Sequence, residues 1–449
     1  MNRLRALWLN LDASLWFIPT LMVAGAILLA FALVFIDLRI EHDWLEEYPL
    51  LFGAGSDGAR GVLTAIAGSM ITVAGLIFSL TLSTLAQVSS QYTPRVLRNF
   101  MSDRANQMVL GFFVSIFVYC LIVLRTIRGG DEGSFIPSLA VLMGLVLALV
   151  SIGVLIFFIH HIANSIQASN IVRNATEETE AAIKRLFPDQ LGQEADADEA
   201  QKLLRQAGQL TWKTVPSQTN GYVQSVDEDG LLDLARSLQG VIRMEHGIGD
   251  FVARGAALAS VAVYQGEAPV LEDKLTGRLN ARFGLGSQRT IEQDAGFGLR
   301  QIVDIALKAL SPGVNDTTTA IICIDHLGSL VAQLADRRLA SPLRTDNNRV
   351  RVVAVRPSFE KFVTTAFDQI RVCADGNVAV YLRLLTALSI IGQRTKDPRR
   401  TLVLSRQRGL IGEAAERTLH TEYERTQVRE RIAELGPSSQ EEPIWVSER

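Results

Sequence analysis

The sequence predicts an α-helical membrane protein: four transmembrane helices followed by a mixed α/β, mostly helical cytoplasmic domain with a small β-sandwich-like module. Three observations lead there. Residues 1–170 contain nine Arg, no Lys and ten acidic residues, whereas the rest of the 449-residue chain carries 35 basic and 37 acidic ones, so charge density more than doubles past Asn170. Four stretches of the first part, residues 15–36, 61–88, 105–124 and 133–159, contain no charged residue. Each meets the roughly 20 apolar residues needed to cross a hydrocarbon core about 30 Å thick. Beyond Asn170, short alternating segments are interleaved with amphipathic ones, the pattern of strands and helices in water.

The composition excludes several classes. With 48% hydrophobic and 20% charged residues and a net charge of −3, the chain is neither disordered, collagen-like nor a basic nucleic-acid binder. Cys120, Cys323 and Cys373 show no paired spacing, which argues against a disulfide scaffold or zinc cluster and suits a reducing compartment. No cofactor or metal is implied.

The first apolar run, 22 residues long and preceded by Arg3 and Arg5, exceeds a typical signal-peptide core and lacks a small-x-small cleavage pattern, so it reads as a membrane helix. Arg3, Arg5, Arg95, Arg98 and Arg104 fall on one side of the four spans, and Arg39, Arg60, Arg125 and Arg128 on the other. An even number of spans puts both termini on one side, and the slight Arg excess places that side in the cytoplasm. Arg60 and Arg125 border their spans and are expected to snorkel to the interface. No Asp, Glu or Lys lies within a span, which argues against a proton-driven transporter.

Along the second span, Ser69, Thr72, Ser79, Ser83 and Ser90 recur at steps of three, four and seven and therefore share one helical face. Two readings follow. The stripe lines a pathway in an oligomer, or it is a helix interface, because Gly61, Ala65, Ser69 and Gly68, Thr72 are small residues four apart that permit close approach. His160 and His161 end the fourth span. Adjacent residues point to different sides of a helix, so one metal ion could not easily take both; they read as an interfacial pair or as a pH-sensitive hinge at the membrane exit.

In the soluble half, residues 162–186 continue the fourth span as a polar helix that ends before Pro188, and an acidic linker follows. Residues 221–227 alternate as a strand and 231–238 are amphipathic. Residues 241–263 read as strand, turn, strand around Gly249-Asp250-Phe251-Val252-Ala253-Arg254-Gly255, a spacing that resembles the β-sandwich module of biotinyl carriers without the Met-Lys-Met that carries the group. The densest polar constellation joins Arg289, Asp294, Arg300, Asp304, Asn315 and Asp316. It reads either as a capped helix-turn-helix with internal salt bridges or as a site for an anion or a hard cation. Residues 349–355 alternate as a strand, Ser358 caps the next helix, and long helices run to Glu434 with a break near Pro398. The expected boundaries are 1–165 for the membrane domain, 166–208 for the helical connector and acidic linker, 209–270 for the β-rich module, 271–436 for the helical domain and 437–449 for a disordered tail. No P-loop, His-Glu-x-x-His, Cys-x-x-Cys, Gly-x-Ser-x-Gly or dinucleotide glycine fingerprint is present, so no enzymatic activity is expected.

Several motifs together resemble a known family. They are Ser14-Leu15-Trp16-Phe17-Ile18-Pro19, Ala67-Gly68-Ser69-Met70-Ile71-Thr72-Val73-Ala74-Gly75, Ser89-Ser90-Gln91-Tyr92-Thr93-Pro94-Arg95, Phe158-Ile159-His160-His161-Ile162-Ala163 and Ala309-Leu310-Ser311-Pro312-Gly313-Val314-Asn315-Asp316. The chain resembles the bacterial predicted integral membrane proteins of domain-of-unknown-function family 2254 from about residue 15 to about residue 390. Thr317 departs from the proline expected in that family after Asn315-Asp316. The resemblance implies a bacterial inner-membrane protein; it supplies topology, and no catalytic residue is carried over. The functional expectation is an oligomeric channel or transport protein with a cytoplasmic regulatory domain that binds an unidentified small ion or ligand. The alternative is a non-conducting membrane-anchored scaffold or sensory protein. Its expected partners are the lipid bilayer and further copies of itself.

Overall fold

The computed structural model describes residues 16–39, 55–91, 103–128, 135–165, 167–187, 210–264, 272–337, 339, 341–346 and 349–436, with backbone alone at 88–91. The expected acidic linker beyond residue 187, the tail 437–449, Arg95, Arg98 and the side chain of Ser90 lie outside the described residues. The chain is mostly helical and divides into two units, Met1–Ile171 and Val172–Arg449.

The first unit holds α1 (Phe17–Asp37), α2 (Ser56–Gln91), α3 (Arg104–Thr126) and α4 (Ser138–Ser165). Helix α3 is the hub. Its Val109, Phe113, Ile116, Tyr119, Cys120 and Val123 recur every three or four residues and are buried with Leu63, Ala67, Met70, Ala74 and Ile77 of α2 and with Ala140, Phe158 and Ile162 of α4. Gly111 lets α1 and α3 cross: a Cβ there would stand 2.9 Å from the Pro19 Cα. Large apolar side chains such as Leu28, Phe31, Leu149, Ile152 and Ile156 are exposed. That is costly in water and favourable in hydrocarbon.

Two polar features tie the helix ends together. Asp37, just beyond the first apolar run, is buried and accepts the Leu139 and Ala140 N–H groups at 3.1 Å each, so the end of α1 caps the start of α4. Tyr119 donates its hydroxyl to the Ala140 carbonyl at 2.7 Å. Arg60 donates to the Ile127 carbonyl at 3.0 Å, a specific partner in place of the bare snorkelling expected from its position.

Helix α5 (Ala168–Leu186) follows and runs into the second unit. The elements of that unit are β1 (Lys213–Pro216), β2 (Gly221–Val226), α6 (Glu228–Ser237), β3 (Gly240–Met244), β4 (Phe251–Val252), β5 (Ala257–Val263), α7 (Asp273–Asn280), β6 (Phe283–Gly286), α8 (Ala295–Ala309), α9 (Thr317–Ala335), β7 (Leu343–Asp346), β8 (Arg349–Val353), α10 (Phe359–Cys373), α11 (Val378–Arg394), α12 (Pro398–Thr418) and α13 (Glu422–Glu434).

The strands form a five-stranded sheet in the order β1-β5-β3-β8-β7 and a three-stranded sheet in the order β4-β2-β6. Gly249 and Gly255 take positive φ, +90° and +86°, at the turns flanking β4, which accounts for the Gly-Asp-x-Val-x-x-Gly spacing. The strands expected in 209–270 are present, but their sheets do not close within that segment. Strand β3 pairs in parallel with β8 through Ile242↔Val352 and Arg243↔Val353, and β2 pairs with β6 through Val226↔Phe283. Burial explains this: β3 has four of its five residues buried, so a strand from far along the chain must cover its second edge.

The helices are set by caps. Asp294, Asp316, Ser358 and Asn377 each accept the N–H three residues on, Asp397 accepts that of Arg399 with Pro398 at the first turn, and Thr421 with Glu424 forms a capping box. By length and composition, five helices of the described residues suit a membrane span: α1, α2, α3, α4 and α9. Helix α9 differs from the others in being largely covered by its own unit, packed on α8 and α11 with Asp325 paired to Arg383.

Candidate functional site

The hydroxyl stripe of α2 faces away from its own unit. Ser69, Thr72, Ser79 and Ser83 are exposed, while Leu63, Ala67, Met70, Ala74 and Ile77 on the opposite side are buried. Gly61, Gly68 and Gly75 have nothing within 4 Å of where a Cβ would stand. At 100° per residue, positions 61, 65, 68, 72, 75, 79, 83 and 86 fall on one narrow strip, and none carries a side chain larger than Thr. Ser69 and Thr72 donate to the Ala65 and Gly68 carbonyls of their own helix, both at 2.8 Å. Their protons are therefore satisfied, and the oxygen lone pairs remain on the outer face.

The two histidines separate as adjacent helical residues must. His161 Nε2 lies 2.6 Å from Asp103 Oδ2, and the other oxygen of that carboxylate caps α3 by accepting the Ala105 N–H at 2.9 Å. Phe157 stacks on the His161 ring at 5.7 Å. His160 instead meets the amide of Asn164 at 2.9 Å, one turn on. The last turn of α4 is thus fastened to the first turn of α3 by a histidine–carboxylate contact. Asn106, one turn into α3, is buried, and its amide has no hydrogen-bond partner among the described residues.

The six-residue polar constellation does not converge on one point. Arg289 donates Nε and Nη2 to Asp294 Oδ2 at 2.9 and 2.7 Å, and its guanidinium lies 5.0 Å from the Phe297 ring centre. Burial pushes the Asp294 carboxyl above the usual range, against the pull of Arg289. Arg300 pairs with Asp304 at 2.7 Å, one helical turn apart. Asp316 sits at the far end of α8, about 22 Å away at 1.5 Å per residue. There the Thr319 hydroxyl and N–H hold its carboxyl below the usual range. Asn315 takes a positive φ of 49° in the turn between α8 and α9. The salt-bridged helix-turn-helix is therefore what these residues build, with Asp294 alone reaching a cavity.

That cavity, about 70 Å³, lies within the second unit. Leu186, Phe187, Ile248, Met244, Val355 and Phe362 form its apolar wall, and Glu228, Gln293, Asp294, Gly296 and Arg356 its polar one. Gln293 Oε1 accepts the Val226 N–H at 3.0 Å, which fastens the loop before α8 to β2. Glu228 binds Arg356 at 2.6 Å and Arg344 at 2.9 Å. Sequence reasoning missed Glu228, Arg344 and Arg356, which are brought together across more than 100 residues by the parallel pairing of β3 and β8. The one signal available was an arginine directly after the alternating segment 349–355.

Exposed apolar helices joined to a folded, charge-rich unit define an integral membrane protein. The chain belongs to the family described as Predicted membrane protein (DUF2254), which matches residues 12–389. Uncharacterized proteins of Mycobacterium bovis and Mycobacterium tuberculosis are 34% identical to it over 433 residues, covering 95% of this chain and 81% of each relative. No solved structure matches it.

Proposed function

We propose that this protein is a four-span protein of the bacterial inner membrane with both termini in the cytoplasm, and that copies of it assemble through α2 into a channel or transport protein. Helices α1 to α4 cross the bilayer, and α9 belongs to the core of the cytoplasmic unit, which acts as the regulatory domain. No enzymatic step is part of this reading. The observation that carries it is the outward strip of α2: a continuous run of Gly, Ala, Ser and Thr that its own chain leaves uncovered, with hydroxyl lone pairs available to water or to a passing ion.

Cysteines placed at Thr72 and Ser79 test the reading in a Cys373→Ser background, because Cys120 and Cys323 are buried and Cys373 is exposed. Both should react with a membrane-impermeant thiol reagent in the assembled protein. Protection of both against that reagent contradicts a solvated pathway.

A second reading rests on the spent hydroxyl protons of Ser69 and Thr72 and on the open glycines. These features suit dry helix packing in a non-conducting scaffold or sensory protein. In that case the two cysteines cross-link between copies under oxidation and stay unlabelled.

A further inference from the structure

Charge is spread unevenly over the second unit. Residues 390–410, which join α11 to α12, carry six basic residues and one acid in a chain whose net charge is −3. Three of these cations are used by the fold. Arg400 donates Nη1 to the Ala335 and Arg337 carbonyls at 2.8 and 3.0 Å and so closes the end of α9. Arg408 donates to the Leu435 carbonyl at 2.9 Å, and Arg406 lies 3.4 Å from Glu360. The other three, Arg394, Lys396 and Arg399, are exposed, and their side chains make no hydrogen bond or ion pair among the described residues. Asp397, the one acid, is engaged as the cap of α12, accepting the Arg399 N–H at 2.8 Å.

Helix stability does not account for this placement. A helix N-terminus favours acids and a C-terminus favours bases. The first turn of α12 nevertheless holds Arg399 and Arg400 and no acid, while Glu413 and Glu416 lie toward its other end. Arg394 alone suits its position, at the end of α11. Three like charges within six residues repel one another, and an external anion relieves that repulsion.

The neighbours select the kind of anion. Ile390 is 47% exposed and lies one turn before Arg394 on the same face of α11; Leu402 is 58% exposed and shares a face of α12 with Arg399 and Arg406. Residues 390–410 contain no aromatic side chain on which a nucleic-acid base could stack. Free cations beside exposed aliphatic side chains match the boundary between phospholipid headgroups and acyl chains.

We propose that the turn between α11 and α12 docks on an anionic phospholipid surface, with Arg394, Lys396 and Arg399 on the headgroup phosphates and Ile390 and Leu402 at the acyl boundary. This contact does not depend on conduction along α2 and is read without any measurement of flux.

The test uses the full-length Cys373→Ser protein in lipid nanodiscs with a fluorophore on Gln393→Cys, since Cys120 and Cys323 are buried. The readout is quenching by headgroup-labelled lipid, placed in the disc itself and, separately, in added vesicles. The lipid is phosphatidylcholine with or without phosphatidylglycerol. In at least one placement phosphatidylglycerol should raise quenching about fivefold or more, the gain that one cation brings at an anionic surface. Added salt should reverse it. Replacing Arg394, Lys396 and Arg399 together by Gln should abolish the gain. Replacing Arg254, Lys274 and Arg278 by Gln, an equal change of net charge elsewhere on the exposed surface, should leave it intact. Arg394→Lys with Arg399→Lys should also keep it, and Leu402→Ser should at least halve it. Equal quenching with and without phosphatidylglycerol in both placements, a gain that survives the first triple replacement, a gain lost equally in the second, or an oligonucleotide that binds the turn more tightly than the anionic lipid would each overturn the proposal.

Discussion

Helices α4 and α9 satisfy the same length and composition test for a membrane span, yet they solve opposite problems. In α4 only 17% of the apolar window is buried by the protein; in α9 the share is 61%. The difference lies in what covers the side chains. Leu149, Ile152 and Ile156 of α4 are largely exposed among the described residues, whereas Leu327, Leu330 and Leu334 of α9 are completely buried against their own unit. Helix α9 also carries Asp325, paired with Arg383 of α11, whereas α4 carries no charged residue. Hydropathy measures how apolar a helix is; the burial pattern shows how much of it the protein itself covers.

Substitutions break or sharpen this comparison. The largest effect is expected for Leu330→Ala in α9, which empties a buried site and should cost about 2–5 kcal/mol in chemical denaturation of the detergent-solubilised protein. Leu149→Ala in α4, at an exposed site, should stay within about 0.5 kcal/mol. Equal losses at the two positions would erase the distinction. Next comes Gly111→Ala: its Cβ meets the backbone of Pro19, which has no rotamer to yield, so about 1–3 kcal/mol should be lost, against no loss for Gly75→Ala on the open strip. The same denaturation assay compares the two.

The smallest effect concerns the α9 cap. Asp316→Ala should destabilise by about 0.5–2 kcal/mol at pH 7. Because Thr319 holds the folded carboxyl below its ordinary value, the stabilisation is present above the unfolded value and is lost as pH falls through the folded one. The gap between wild type and variant should therefore close in acid, below about pH 4. A gap that stays constant from neutral pH into acid would show that the charge on Asp316 contributes nothing.

The apolar helices were legible because a span of hydrocarbon imposes a length, and the charge step at Asn170 marks a change of solvent. Local signals were equally direct: Ser358 caps the helix expected of it, and Gly249 and Gly255 take positive φ at the turns of their motif. What escaped depends on pairing at a distance. Nothing near Glu228 announces Arg344 and Arg356, and nothing near Asp37 announces the start of α4. The grouping of Arg289 with Asp316 failed for the converse reason, since neighbours in sequence can sit at opposite ends of a 15-residue helix.

The central claim is that the uncovered strip of α2 lines a pathway between copies. Flux and single-channel current in proteoliposomes test it most directly, comparing wild type with Ser79→Leu at equal incorporation and with the assembly checked intact. The account predicts reproducible current in the wild type and a reduced or altered current in the variant. An intact assembly that passes no current across varied pH, voltage and divalent ions would contradict it and leave α2 as a packing surface.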